Sequence, residues 1–212
     1  MRTRAGGRLI TIEGIDGAGK TTLARGLHET LRARGVDALL LREPGGVELS
    51  ERVRELVKDP ALTVGARAEA LLYAAARAQL VEEAVVPRVR AGTWVLLDRF
   101  VDSSLAYQGA GRALGIDRVR ELNQFATGGL TPDRTLLLTL SPAAARARAR
   151  DRAQAPDRLE REDPRFFERV AAAYAELARH EPGRIATLDA GRPPGEVLEH
   201  ALAAIADLVD QA

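Results

Sequence analysis

The stretch "GIDGAGKTT" (Gly14, Ile15, Asp16, Gly17, Ala18, Gly19, Lys20, Thr21 and Thr22) follows the apolar run "RLITIE" and precedes a segment with helical spacing. Gly14, four further residues, Gly19, Lys20 and Thr21 satisfy G-x-x-x-x-G-K-[ST] in the context the pattern needs, a strand before it and a helix after it. Such a loop must turn sharply and aim backbone N–H groups at phosphate oxygens, so glycines stand where a side chain would block the approach. The first turn of the next helix adds unpaired N–H groups and the positive end of its dipole. Lys20 is then placed to bridge the β- and γ-phosphates of a nucleotide, and the Thr21 hydroxyl to ligate Mg²⁺. Lys20 and Lys58 are the only lysines in an arginine-rich chain, which sets Lys20 apart from the compositional bias.

Apolar runs of strand length recur at 8–13, 38–42, 94–98, 134–140 and 184–189. Their near-continuous hydrophobicity suits strands buried on both faces, as in a parallel sheet. Helical patterns lie between them, at about 20–34, 48–58, 65–90, 115–126, 163–180 and 194–210. The alternation predicts an α/β fold of the phosphate-loop type, with a five-stranded parallel sheet between layers of helices, as one domain over residues 1–212. In the helix near 163–180, Phe166, Val170, Tyr174 and Leu177 share a stripe and read as core. The charged stretch 146–164, "RARARDRAQAPDRLEREDP", is interrupted by Pro156 and reads as a mobile, solvated segment, with a short Arg-rich lid at about 146–162.

A second buried strand, "WVLLD", ends in Asp98, the usual way such folds bring a carboxylate to a metal. Lys plus Arg total 31 against Asp plus Glu 30, a net charge of +1, so no global field draws the chain to nucleic acid or an anionic membrane. Small-molecule partners are expected. The absence of cysteine removes disulfides and thiolate metal sites. No stretch approaches a membrane span, and the start does not read as a signal peptide, so a cytoplasmic location is the expectation. The guanine-reading N-K-x-D pattern is missing and the chain is short for a motor ATPase; a small phosphate-loop protein with an Arg-rich segment near its third quarter suggests a kinase for a small phosphorylated acceptor, the segment closing over two anionic substrates.

At this point the residues resemble the bacterial thymidylate kinases. The matching stretches are "IEGIDGAGKTT", "REPGG", "EALLYAAARAQ", "DRFVDSSLAYQG", "LNQFATGGLTPD" and "DRLEREDPRFFERVAAAYAELA", in family order over almost the whole chain. The resemblance implies phosphorylation of dTMP to dTDP with ATP and Mg²⁺, for dTTP synthesis, by a homodimer. It implies that Asp16 lies beside the deoxyribose 3′-hydroxyl and that Arg99 grips the acceptor phosphate, with Glu43 and Arg54 nearby. Tyr73 and Arg77, four residues apart on one helix face, would stack on thymine and bond a base oxygen. Ser103, Ser104 and Gln108 would help read the base, and Tyr107 would fill the space of a ribose 2′-hydroxyl. Some family members carry an arginine in the phosphate loop where this chain has Gly17, so the neutralising arginine is expected from the lid, at Arg150 or Arg152. Arg146 and Arg148 are expected on a solvated helix face. The nearest alternative is a nucleotide kinase preferring another pyrimidine monophosphate; a more distant one is a nucleotide-dependent switch or nucleic-acid-binding module.

Overall fold

A computed structural model describes residues 6–150 and 157–209, the side chains of Ala149 and Arg150 excepted. Among the described residues five strands, β1 (Leu9–Glu13), β2 (Ala38–Arg42), β3 (Trp94–Asp98), β4 (Arg134–Thr139) and β5 (Ile185–Asp189), form one parallel sheet in the order β2-β3-β1-β4-β5. The order reverses beside β1, so β1 is central and buried along its whole length. Successive side chains of a strand point to opposite faces, and the core divides accordingly. Leu9, Val95 and Leu97 join Leu80, Val85, Val89 and Phe100 on one face. Ile10, Ile12 and Leu96 join Leu27, Leu31, Phe166, Val170 and Leu177 on the other. Both faces are covered, which is why these strands read as continuous apolar runs and not as alternation.

The helices are α1 (Lys20–Ala33), α2 (Glu48–Lys58), α3 (Ala66–Leu80), α4 (Val86–Arg90), α5 (Val101–Ser104), α6 (Ile116–Thr127), α7 (Pro142–Arg150), α8 (Pro164–His180), α9 (Pro194–Ala204) and α10 (Ala206–Val209). None is long and apolar enough to cross a membrane. The fold therefore matches the expected helices-sheet-helices arrangement, with three refinements. The helix expected at 65–90 passes through a π-helical turn at Val81–Val85, just before Pro87, which has no N–H for the regular ladder. The expected 194–210 helix breaks at Ile205. No helix was expected at 101–111, yet α5 runs on into a π-helix at Leu105–Gly111.

The segment around the expected lid departs from the sequence reading. Its start is helical, as α7. Its other flank is docked, not solvated: Leu159 is buried in the core, Arg158 donates through Nε to Val57 O at 2.9 Å and through Nη2 to Glu69 at 2.6 Å, and Lys58 pairs with Asp157 at 2.7 Å. Charge density predicts solvation only while the partners are unknown; here a fully buried carboxylate receives the arginine.

Leu96, fully buried at the middle of β3, tests the core assignment. Leu96→Ala should lower unfolding free energy by about 2–5 kcal/mol in urea titration, and a loss within about 0.5 kcal/mol would mean that this face of the sheet is not close-packed.

Candidate active site

Between β1 and α1 the chain makes the phosphate loop by three left-handed glycines, Gly14 (φ 137°), Gly17 (φ 90°) and Gly19 (φ 96°). Ile15 and Ala18 turn inward and anchor the loop in the core. Gly19 is the N-cap of α1, so Lys20 and Thr21 open the helix at its positive end. The Lys20 ammonium folds back over the loop and donates to Gly14 O and Ile15 O, both at 3.0 Å. Burial, together with the Arg99 charge, lowers the Lys20 pKa to about 8, against the pull of Asp16 and Asp98.

Parallel pairing sets Ile12 of β1 opposite Asp98 of β3, so both strands deliver their next residues to the same edge of the sheet. Thr21 Oγ1 donates to Asp98 Oδ2 at 3.0 Å. Arg99, a non-glycine residue with φ 73°, turns its guanidinium back to the loop. Its Nη2 donates to Asp16 Oδ1 at 2.5 Å, and its Nη1 to Gly14 O at 3.2 Å and Ser103 Oγ at 3.0 Å. Tyr107 adds a donated bond to Asp16 Oδ2 at 2.9 Å, and its ring lies under the guanidinium, 5.0 Å from carbon to centroid. Burial opposes the Asp16 charge, but Arg99, Lys20 and Tyr107 outweigh it and hold the carboxyl far below the usual carboxylate range.

A cavity of about 1200 Å³ extends from this edge, larger than the roughly 300–1,000 Å³ of a single small-ligand site. It is lined by Gly17, Gly19, Lys20, Thr21 and Thr22 of the loop and α1, by Glu43, Arg54, Lys58, Tyr73 and Gln108, and by Asp16, Asp98, Arg99, Ser103 and Tyr107. Tyr73 is half-buried on α3. Arg54 is held by a bond from Nη1 to Pro44 O at 2.9 Å. The Glu43–Pro44 bond, in "REPGG", is cis.

Arg77 and Ser104 do not line the cavity. Arg77 is 2% exposed, and its guanidinium is occupied by Glu43 at 2.6 Å, Ser104 Oγ at 2.9 Å, Phe100 O at 3.0 Å and Asn123 Oδ1. In this structure it stands behind the wall and orders it, with its donors spent on protein groups. Burial raises the Glu43 pKa to about 7 although Arg77 opposes the shift, and Glu43 Oε1 is a buried atom without a partner.

The Arg-rich segment is also placed differently from expectation. A Cβ at Gly17 would meet Ala145 O at 2.2 Å, so α7 lies directly on the phosphate loop and no side chain fits there. Arg146, expected to face solvent, is half-buried and lines the cavity beside the loop, because the helix turn that carries Ala145 onto Gly17 carries its neighbour in as well. Arg148 is exposed and donates to Ala190 O at 2.8 Å. Arg152 and the side chain of Arg150 lie outside the described residues.

Two buried carboxylates at the site escaped the sequence reading. Glu13 accepts bonds from Phe100 N, Ser103 N, Ser103 Oγ and Tyr174 OH. Glu69 accepts from Gln108 at 2.9 Å, Arg112 at 3.0 Å and Arg158 at 2.6 Å, joining α3, the π-helix and the segment around Arg158. The available signal was a charged residue inside an otherwise apolar strand or helix face, which alone names no partner.

Fold and site together define a class first: a phosphate-loop α/β protein whose loop opens on a cavity with room for more than one anionic ligand. Comparison then places it within that class. The thymidylate kinase family model matches residues 12–201. The chain is 49% identical over 201 residues to the thymidylate kinase of Deinococcus radiodurans, covering 95% of this chain and 97% of that one. It is 44% identical over 205 residues to that of Halorhodospira halophila, covering 96% and 95%. The crystal structure of thymidylate kinase from Ehrlichia chaffeensis superposes with a TM-score of 0.77 at 28% identity, covering 95% of this chain and 99% of that one. The chain belongs to the thymidylate kinase family and is a phosphotransferase.

The depressed Lys20 pKa has a consequence for stability. The folded chain holds this ammonium less readily than the unfolded chain, whose lysine titrates near its ordinary value of 10.5. Between pH 8 and 10.5 the unfolded chain therefore binds more protons, and the Lys20 contribution to stability rises with pH. The ligand-free protein should gain stability relative to Lys20→Met across that window in urea titrations; a difference that does not change with pH would contradict the buried charge.

Proposed function

We infer that this chain transfers the γ-phosphoryl group of ATP to dTMP, giving dTDP and ADP, a step in dTTP supply. The observation that carries the reading is that one cavity is lined by Lys20 and the phosphate loop, by Arg99 and Asp16, and by Tyr73 and Gln108. Membership of the thymidylate kinase family supports the choice of nucleotide.

In this reading Gly14–Thr22 cradle the ATP phosphates, and Lys20 moves from its carbonyls to the β- and γ-oxygens. Arg99 and Arg54 hold the acceptor phosphate, a task suited to guanidinium forks. Asp16 meets the sugar 3′-hydroxyl, Tyr107 stands where a 2′-hydroxyl would sit, Tyr73 stacks on the base, and Gln108 and Ser103 supply polar contacts around it. Glu43 lines the cavity, and Arg77 and Ser104 set the wall behind it. Thr21 and Asp98, already within bonding distance of each other, fit Mg²⁺, which takes hard oxygens and few protein ligands. No group of three or more His, Cys, Asp or Glu that could hold a metal occurs among the described residues, so Thr21 and Asp98 are the residues that would hold the ion. When bound, that ion neutralises phosphate charge.

Phosphoryl transfer asks mainly for alignment and electrostatic neutralisation, so the reading needs no covalent intermediate. The closing guanidinium comes from α7 or the lid beyond it, with Arg150 and Arg152 as candidates and Arg146 added by its place on the cavity wall. Large apolar side chains left in solvent, Phe125 on α6 and Leu71 on α3, are available for contact with a second copy of the chain.

A coupled assay over dTMP, dUMP, UMP, CMP and AMP, with and without Mg²⁺, tests the reading. Turnover highest on dTMP and dependent on Mg²⁺ is expected; a higher kcat/KM on another monophosphate would reassign the acceptor. Lys20→Ala should fold and lose about 10²–10³ in kcat, as when one donor to the transition state is removed; near wild-type turnover would contradict the role of the loop.

A further inference from the structure

Arg99 occupies a backbone conformation that a side chain disfavours, φ 73°, and its guanidinium must still be aimed at the phosphate loop. Something outside its own turn has to fix it. The helix that follows, α5, has Phe100 as its N-cap residue and no side-chain cap of its own, although the first N–H groups of a helix need acceptors. Glu13, the last residue of β1, supplies them from another strand. It is fully buried, and its Oε1 accepts from Phe100 N at 2.7 Å and Ser103 N at 3.3 Å. Its Oε2 accepts the Ser103 hydroxyl at 2.6 Å and the Tyr174 hydroxyl at 2.8 Å. With its proton committed to Glu13, Ser103 Oγ offers a lone pair, and Arg99 Nη1 donates to it at 3.0 Å.

We propose that Glu13 is a positioning residue for Arg99: its carboxylate caps the turn through the Phe100 and Ser103 amides and holds the guanidinium through the Ser103 hydroxyl. The register of the sheet makes this possible. Ile12 lies opposite Asp98 and Ile12 O accepts from Arg99 N at 3.0 Å, so the next residue of β1 falls beside the turn that leaves β3. A carboxylate accepts from all four donors at once; a glutamine could keep the two amides on its oxygen but would present N–H₂ to the two hydroxyls, which would have to turn and accept, so the Ser103 hydroxyl would no longer be fixed by donating to residue 13. Glu13 touches no reacting atom; it acts through Arg99. The inference rests on the proposed role of Arg99 in holding the acceptor monophosphate.

A double-mutant cycle between Glu13→Gln and Arg99→Ala tests it. Glu13→Gln should raise KM for dTMP by about tenfold or more while KM for ATP stays within about twofold, and should have little further effect when Arg99 is already alanine. Ser103→Ala, which cuts the hydroxyl link and keeps the capped amides, should act in the same direction and carries the cycle if Glu13→Gln fails to fold. Additive effects, or equal changes in both KM values, overturn the proposal. A second readout does not depend on the substrate. The Arg99 side-chain ¹H–¹⁵N signals, assigned by their loss in Arg99→Lys, should broaden or average in Glu13→Gln and in Ser103→Ala; unchanged signals overturn the proposal whatever the acceptor proves to be. Failure of the wild-type protein to phosphorylate dTMP would instead count against the functional reading alone.

Discussion

Two cations and one carboxylate share the mouth of the phosphate loop, and the rest of the site is arranged around keeping them there. Asp16 stands between Arg99, at 2.5 Å, and Lys20, at 3.8 Å. Without it two like charges would face each other in a partly desolvated corner, where repulsion is much stronger than in water. The lowered Lys20 pKa, caused first by burial and then by Arg99, records that cost. An anionic ligand would relieve it further, since one carboxylate only partly balances the two cations.

The sheet provides the geometry for this concentration of charge. In open parallel sheets ligands bind beyond the carboxyl ends of the strands, where the strand order reverses. Here the reversal lies beside β1, and the paired ends of β1 and β3 send the loop, Asp98 and Arg99 to one place. Glu13 and Thr11 add polar groups to a strand that is otherwise apolar and wholly buried. Thr11 is matched across the sheet by the Thr135 hydroxyl at 2.7 Å, and Glu13 by four donors, so neither is left unsatisfied. The polar residues of the central strand are thus tolerated because each is fully bonded.

The strands, the phosphate loop and the stripe from Phe166 to Leu177 were legible in the sequence because each is a local pattern: a run, a motif, a period. The thymidylate kinase family was legible for the same reason. What was not legible depends on pairs far apart in the chain. Glu13 meets Phe100 across 87 residues and Glu69 meets Arg158 across 89, and no spacing rule announces such partners. The π-helix at Leu105–Gly111 was missed because its sequence is short and glycine-rich, and only packing explains it: Gly111 has no Cβ, which would lie 2.7 Å from the Phe166 ring. Arg77 was placed on the right helix, but periodicity could not tell that Glu43, Ser104 and Asn123 would consume its donors. A charged segment near 157–163 was read as solvated because its acceptor, Glu69, sits on another element.

Gly17 joins the loop to the question of where neutralising charge comes from. An arginine at that position would have to displace Ala145, since even a Cβ there overlaps its carbonyl. The packing of α7 on the loop and the lack of a loop arginine are therefore one structural choice. A bare glycine lets the helix approach, and the helix brings Arg146 to the cavity in return. Beyond residues 151–156, which lie outside the described residues, the pairs formed by Arg158 and Lys58 tie the chain to α2 and α3. The arginine-bearing segment is thus fastened at both flanks, to the phosphate loop and to the helices that carry Arg54 and Tyr73. Arg146 thereby stands in one cavity wall with Arg54 and Tyr73, on a segment that both the loop and these helices hold.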